Sequence, residues 1–320
     1  MTVSALETMR PPQRTREYRN HHLDSRRWDA ILPRPDDIVI STSLKTGTTW
    51  MQRIVSLLLF GAGPLPESLW ALSPWVDVRF QDPIEEMAQL AEWQSHRRFF
   101  KSHLPLMALP YDSSTKYICV GRDARDVAMS IWNHWGAYND FAYEMVNGGE
   151  DFRGEPLPRC PDDIHVFLRD WLTRGSFPWE QDGYPLWSHF THIRSFWEFR
   201  HLPNILLVHY ADLKADLECE MRRVADFLDV PVVPRDWPNL VAEAGFDAMK
   251  RDGEDLIPAM DIAFEGGADR FFHKGVNGRW RSVFTGEELA LFDAAEARVL
   301  DEPARLWLRE GRHASDPIAA

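Results

Sequence analysis

Apolar residues along this chain come in short runs, and the spacing within and between those runs changes in a regular way. Residues 37–42, Asp37-Ile38-Val39-Ile40-Ser41-Thr42, read as a buried strand, and a helical pattern follows over about 47–60. Residues 99–103 form a second short strand, stopped by Pro105. Residues 117–120 form a third, followed by a helix over 124–135. Residues 204–210 form a fourth, with an amphipathic helix over about 213–228 behind it. Strands that are apolar almost throughout and alternate with helices predict a parallel sheet covered on both faces. The expected architecture is one α/β domain, a central parallel sheet flanked by helices. Two stretches break the rhythm. Residues 136–187 carry Gly148-Gly149 and five prolines among many aromatics, so irregular excursions and short helices are expected there. Residues 265–285 mix glycine, aromatic and basic residues without period and are expected to be a functional loop. Residues 1–25 are polar and basic and read as a loosely held arm, which leaves 26–320 as the domain.

Charge narrows the function classes. With 36 Lys and Arg against 49 Asp and Glu, the formal charge is −13. Such a chain is not a general polyanion binder, and no nucleic-acid partner is expected. Any anionic ligand must find a locally basic pocket. No run of 18 apolar residues occurs, and the basic N-terminus has no apolar stretch, so neither a transmembrane segment nor a signal peptide is expected. The expected compartment is the cytoplasm. Cys119, Cys160 and Cys219 are scattered and lack metal-ligand spacing. They read as packed or inert thiols, and no metal is expected.

The most informative segment lies between the first strand and its helix: Ser43-Leu44-Lys45-Thr46-Gly47-Thr48-Thr49-Trp50. A helix start presents unpaired backbone N–H groups and a partial positive charge. Gly47 lets the backbone approach a phosphate, Lys45 adds a full charge, and Thr48 and Thr49 add hydroxyls. Taken alone, the segment could also be an ordinary strand–turn–helix with a solvated lysine. It is not the nucleoside-triphosphate loop, because Lys45 precedes Gly47 and no earlier glycine is present. A kinase-like NTPase is therefore disfavoured, though it stays a rival, as does a non-catalytic nucleotide sensor.

This segment resembles the phosphosulfate loop of sulfotransferases that use 3′-phosphoadenosine 5′-phosphosulfate (PAPS). Further segments resemble the same family in order: Lys101-Ser102-His103-Leu104-Pro105, Gly121-Arg122-Asp123 through Ser130, Trp197-Glu198, the strand ending at Tyr210, and Phe271-Phe272-His273-Lys274-Gly275 with Gly278-Arg279-Trp280. The likeness runs from about residue 28 to 300, and its flavour around Arg27-Trp28-Asp29-Ala30 and Ser73-Pro74-Trp75 is nearest to mycobacterial glycolipid-type members.

The resemblance implies sulfuryl transfer from PAPS to an acceptor hydroxyl, with PAP released. It implies His103 as general base, with Lys45 and Lys101 as charge-stabilising catalytic residues. Lys45, Thr46, Gly47, Thr48, Thr49 and Trp50 would hold the 5′ end of the cofactor. Arg122 and Ser130, with His273, Lys274 and Gly275, would hold the 3′-phosphate. Trp50, Phe246 and Tyr210 would contact adenine, and Phe271 belongs to the same binding set. Residue chemistry agrees in part. An imidazole titrates near working pH, and arginine suits a bidentate phosphate contact. Residues 270–281 carry Arg270, Lys274, Arg279 and Arg281 with no acid, a basic island in an acidic chain.

Departures are also visible. His273 stands where the family usually has arginine, and Ala244-Gly245 stands where it commonly has Thr-Ser. The dimerisation stretch survives only as Arg281 and Thr285, so a monomer or weak homodimer is expected. The acceptor is a small-molecule or lipid-linked hydroxyl, with Trp75, Phe80, Trp132, Tyr138, Phe152 and Trp171 as possible walls.

Overall fold

The structure, a computed structural model, describes residues 10–149, 152–256, 258, 260–267 and 276–319. Its sheet has four strands: β1 (Ile38–Ser41), β2 (Phe99–Ser102), β3 (Lys116–Gly121) and β4 (Ile205–His209). They lie in the order β2-β1-β3-β4, and every pairing is parallel. Burial explains the absence of polar alternation. Ile38, Ile40, Phe99, Ile118, Val120 and Val208 face one apolar layer, while Val39, Phe100, Tyr117, Cys119 and Leu207 face the other. Each strand therefore needs apolar residues at consecutive positions.

Parallel register aligns the carboxyl ends of the strands at one edge, with Ser41 beside Ser102 and Gly121 beside His209. The chain leaves β1 toward β2 on one side and returns to β3 on the other. A crevice opens at such a reversal, outside the strand ends. Four helices matter for it: α1 (Thr48–Phe60), α2 (Ala124–Trp135), α3 (Asp140–Asn147) and α4 (His189–Trp197). The opposite ends of β1 and β2 are pinned by a buried ion pair, in which Arg98 donates to both oxygens of Asp37 at 2.8 and 2.6 Å.

Two expectations need correction. The helix expected over 213–228 is two, Tyr210–Ala215 and Leu217–Phe227. Asp216 breaks the run because its backbone leaves the helical region and its carboxylate accepts from the Cys219 amide at 3.0 Å, capping the second helix. The loosely held arm is not loose over residues 10–25. Tyr18 and Leu23 are fully buried. The Tyr18 hydroxyl donates to Glu180 at 2.7 Å, and the Asp24 amide donates to the Asp77 carbonyl at 2.9 Å. Composition misled here because the few apolar residues of the segment are all spent on docking. Among the described residues, no helix is long and apolar enough to cross a membrane.

Candidate active site

The loop between β1 and α1 is held in shape by its own side chains. The Thr42 and Thr48 hydroxyls share a hydrogen bond of 2.6 Å, and the Thr46 hydroxyl donates to the Ser43 carbonyl at 3.1 Å. Two residues take left-handed backbone, Lys45 at φ 66° and Gly47 at φ 113°. Gly47 is also crowded, since a Cβ there would sit 3.0 Å from the Tyr210 ring. Glycine is required on both counts. The Ser43 hydroxyl donates to His189 Nδ1, and His189 Nε2–H donates to the Arg122 carbonyl at 3.0 Å. His189, on α4, thus ties the loop to the end of β3.

Three cations converge behind this loop. Arg122 donates to the Lys45 carbonyl at 3.1 Å and to Asn277 at 3.0 Å, with its guanidinium 4.2 Å from the Tyr210 ring centre. Its Nε is buried and makes no hydrogen bond. Lys101 Nζ lies 4.1 Å from the centre of the Trp75 ring. Burial, followed by the repulsion of Arg122 and Lys101, lowers Lys45 to about 7. Burial lowers Lys101 to about 8, against the pull of Asp77. Ammonium groups so easily deprotonated are groups short of negative charge. With an orphaned guanidinium N–H, a glycine that leaves space and an open helix N-terminus, the site fits an anionic ligand.

His103 follows β2 and is buried. Its amide donates to Asp77 at 3.0 Å, and its Nδ1–H donates to the Thr42 carbonyl at 2.7 Å. That bond fixes the tautomer and leaves Nε2 with a free lone pair. Burial, then Lys101, drives His103 well below the usual imidazole range, so the ring is neutral in neutral solution. Asp77 also accepts from the indoles of Trp28 at 3.1 Å and Trp75 at 2.8 Å. It orients the wall on which both Lys101 and His103 rest.

A cleft of about 270 Å³ joins these groups. Its lining takes in Lys45, Gly47, Thr48, Thr49, Trp50, Arg122, Ser130, Tyr210 and Phe246, all singled out by sequence. Thr46 is buried in the loop beneath them. Trp50 meets Tyr210 edge-on at 5.3 Å and donates its indole N–H to the Ala244 carbonyl at 2.7 Å. Lys101 and His103 line it too. A further set of lining residues is Trp75, Phe80, Tyr138, His22, His134 and Phe264.

Three of the expected walls do not line this cleft. Trp171 is a core residue packed on Phe292 at 5.7 Å. Trp132 turns its indole to the Pro161 carbonyl at 3.1 Å, and Phe152 sits beneath Arg79 at 5.6 Å. Phe271, His273, Lys274 and Gly275 lie outside the described residues. Sequence reasoning missed Asp77, His189, His22, His134 and Asn277. The available signal for Asp77 was one acid inside the apolar run Trp75-Val76-Asp77-Val78. The others carried none, because remote parts of the chain bring them in.

Comparison with known proteins agrees with this geometry. Residues 35–302 match the sulfotransferase domain. The chain belongs to the sulfotransferase family. A glycolipid sulfotransferase of Mycobacterium tuberculosis is 34% identical over 319 residues, covering 94% of this chain and 96% of that protein. Human sulfotransferase 2B1 is 31% identical over 271 residues, covering 82% of this chain and 65% of its own. Among solved structures, mouse sulfotransferase SULT7A1 complexed with PAP superimposes with a TM-score of 0.64 at 20% identity, covering 87% of this chain and 90% of that one. Retinol dehydratase with androsterone and PAP gives 0.66 at 22% identity, covering 87% and 84%. The fold of this sulfotransferase is therefore that of the family, and a kinase-like NTPase is not favoured.

Proposed function

We propose that this sulfotransferase moves the sulfuryl group of PAPS to a hydroxyl of an amphiphilic acceptor, and that the residues of the cleft divide the work as follows. PAPS, when bound, supplies an activated sulfuryl group on a phosphate leaving oxygen. The Lys45–Trp50 loop and the first amides of α1 hold its 5′ end, while Arg122 and Ser130 hold the 3′-phosphate. Phe271, His273, Lys274 and Gly275 are assigned to the same binding set on sequence grounds. Trp50, Phe246 and Tyr210 take the adenine. Solved structures of the same fold with PAP bound support PAP as the nucleotide.

His103 carries the proton transfer. Its Nε2 accepts the proton of the acceptor hydroxyl as the hydroxyl oxygen bonds to sulfur and the bond from sulfur to the leaving oxygen breaks. Lys45 stabilises the charge gathering on the leaving oxygen, and Lys101 the charge on the sulfonate. No metal is required, because cationic side chains fill the role a metal would play. The observation that carries the proposal is the Nδ1–H bond of His103 to Thr42, which leaves the Nε2 lone pair free beside the half-buried Lys45 and Lys101.

The rest of the cleft suits an acceptor with a hydroxylated head and an apolar body. His22, His134 and Tyr138 give it polar groups, and Phe80, Met145, Val146 and Phe264 give it apolar ones. The glycolipid sulfotransferases among its relatives support that class. The test is transfer from radiolabelled PAPS to a panel of glycolipids, free sugars, sterols and simple phenols. Glycolipids should be sulfated best. Transfer to none of them would sink the reading.

A further inference from the structure

Five side chains follow one another in a line of contacts that starts at Lys45. Lys45 Nζ lies 3.4 Å from His134 Nδ1, and His134 Nε2 lies 3.4 Å from the Tyr138 hydroxyl. That hydroxyl lies 3.4 Å from His22 Nε2. His22 Nδ1 lies 2.6 Å from His21 Nδ1, and His21 Nε2 lies 2.8 Å from the Pro185 carbonyl oxygen.

The two ends fix the direction of the whole line. An ammonium only donates and a carbonyl only accepts. His21 must therefore carry its proton on Nε2, which leaves its Nδ1 to accept from His22 Nδ1–H. His22 Nε2 then accepts from the Tyr138 hydroxyl, whose oxygen accepts from His134 Nε2–H. His134 Nδ1 is left bare, facing the ammonium of Lys45. The reverse order would set two lone pairs against each other at Pro185. Each imidazole in the line is neutral, in keeping with the burial that lowers His21 to about 4 and His22 and His134 well below the ordinary range.

We infer that His134 is a positioning residue for Lys45, and that Tyr138, His22, His21 and the Pro185 carbonyl hold it in the one tautomer that can accept from the ammonium. The inference rests on the reading of Lys45 as the residue at the leaving oxygen. A proton relay would be the competing use of the same line. It would end with an extra proton on His21, where burial and Arg79 both oppose charge. A line closed to protons at its far end aims its donor and does not drain it. Aim matters here because Lys45 has Arg122 and Lys101 as repelling neighbours.

Nitrogen NMR of the wild-type protein labelled in its histidines tests the line without any turnover. His134 and His21 should be Nε2–H tautomers and His22 an Nδ1–H tautomer. An Nδ1–H signal for His134 overturns the inference. Kinetics then test the role. His134→Leu should lower kcat about 10- to 100-fold, the cost of a misplaced catalytic group, with the KM for PAPS within about threefold of wild type. His134→Asn keeps an acceptor near the position of Nδ1 and should restore kcat to within about threefold of wild type by the same reasoning. Wild-type kcat in His134→Leu, or an Asn variant no better than the Leu variant, defeats the inference. Were Lys45→Ala itself to retain full turnover, the role of Lys45 would fall, while the tautomer signals alone would still decide the hydrogen-bonded line.

Discussion

The two halves of the cleft are made differently. The donor half is largely local, since β1, its loop and α1 follow one another directly, as do β3, Arg122 and α2, with Tyr210 and Phe246 brought in from later in the chain. Its loop combines left-handed Lys45 and Gly47 and the open start of a helix with bonds among its own side chains. The acceptor half gathers side chains from far apart, with His22 from the N-terminal segment, Trp75 and Phe80 from a loop, Tyr138 before α3, and Phe264. A binding mode that is common to a family can be written into one short segment. A choice of acceptor is assembled from many, so each wall can change without disturbing the donor.

Substitutions can break that division. The largest effect is expected at His103, which belongs to the acceptor side of the chemistry. His103→Ala should cost about 10²- to 10⁴-fold in turnover, the usual worth of a general base, and leave PAP affinity nearly intact by calorimetry. Loss of affinity in a folded His103→Ala protein would show the halves to be coupled.

Lys45→Ala should instead lose rate and PAP affinity together. A hydrogen bond to a charged group is worth about 1.5–3 kcal/mol, so roughly 10- to 100-fold in affinity is expected. Titration calorimetry beside single-turnover kinetics separates the two losses. Gly47→Ala should act on the donor half through the backbone. Strain at positive φ costs about 1–3 kcal/mol, and the contact with Tyr210 adds to it. A lower melting temperature with weakened PAP binding is the expected result, and an unchanged PAP affinity would remove the backbone argument.

Acid and base sharpen the contrast further. Lys45 and Lys101 have folded pKa values lowered to about 7 and about 8, so their ammonium forms are present at pH 6.5 and are lost as pH rises. An anion binds the charged forms, so PAP affinity should fall by about tenfold between pH 6.5 and 9, measured at constant ionic strength. Rising affinity over that range would contradict the charge assignment. The smallest effect is expected for His273→Arg. It should tighten PAP by about threefold at pH 8, where imidazole is neutral, and by less at pH 5.5. Equal gains at both would show that charge is not the cause.

Much of the donor half was legible because its residues are consecutive: Lys45 to Trp50 form one unbroken run, and Arg122 and Ser130 are eight apart on a strand end and its helix. The four strands were legible from continuous apolar runs, with bounds off by a residue. Asp216 was not recognised as a cap because a helix read by hydrophobic period continues through it. The acceptor half was less legible for a physical reason. Trp171 and Tyr138 are both aromatic residues of the proline-rich stretch 136–187, and nothing local says that one packs on Phe292 while the other faces the cleft. His22 and His134 lie 112 positions apart and meet only through Tyr138.

The docking of the N-terminal segment bears on when the enzyme becomes selective. Tyr18 finds Glu180 across 162 positions of chain, so this wall cannot form until more than half of the polypeptide has been made. Contacts between such distant partners form slowly, and segments lying on the outside of a core open at lower free energy than the core itself. The donor loop owes part of its shape to bonds within itself, Thr42 to Thr48 and Thr46 to Ser43. A locally opened molecule, in which only this docking is lost, can thus keep its nucleotide site while its acceptor wall is absent. A truncation or fusion at the N-terminus would act on substrate choice before it acted on the fold.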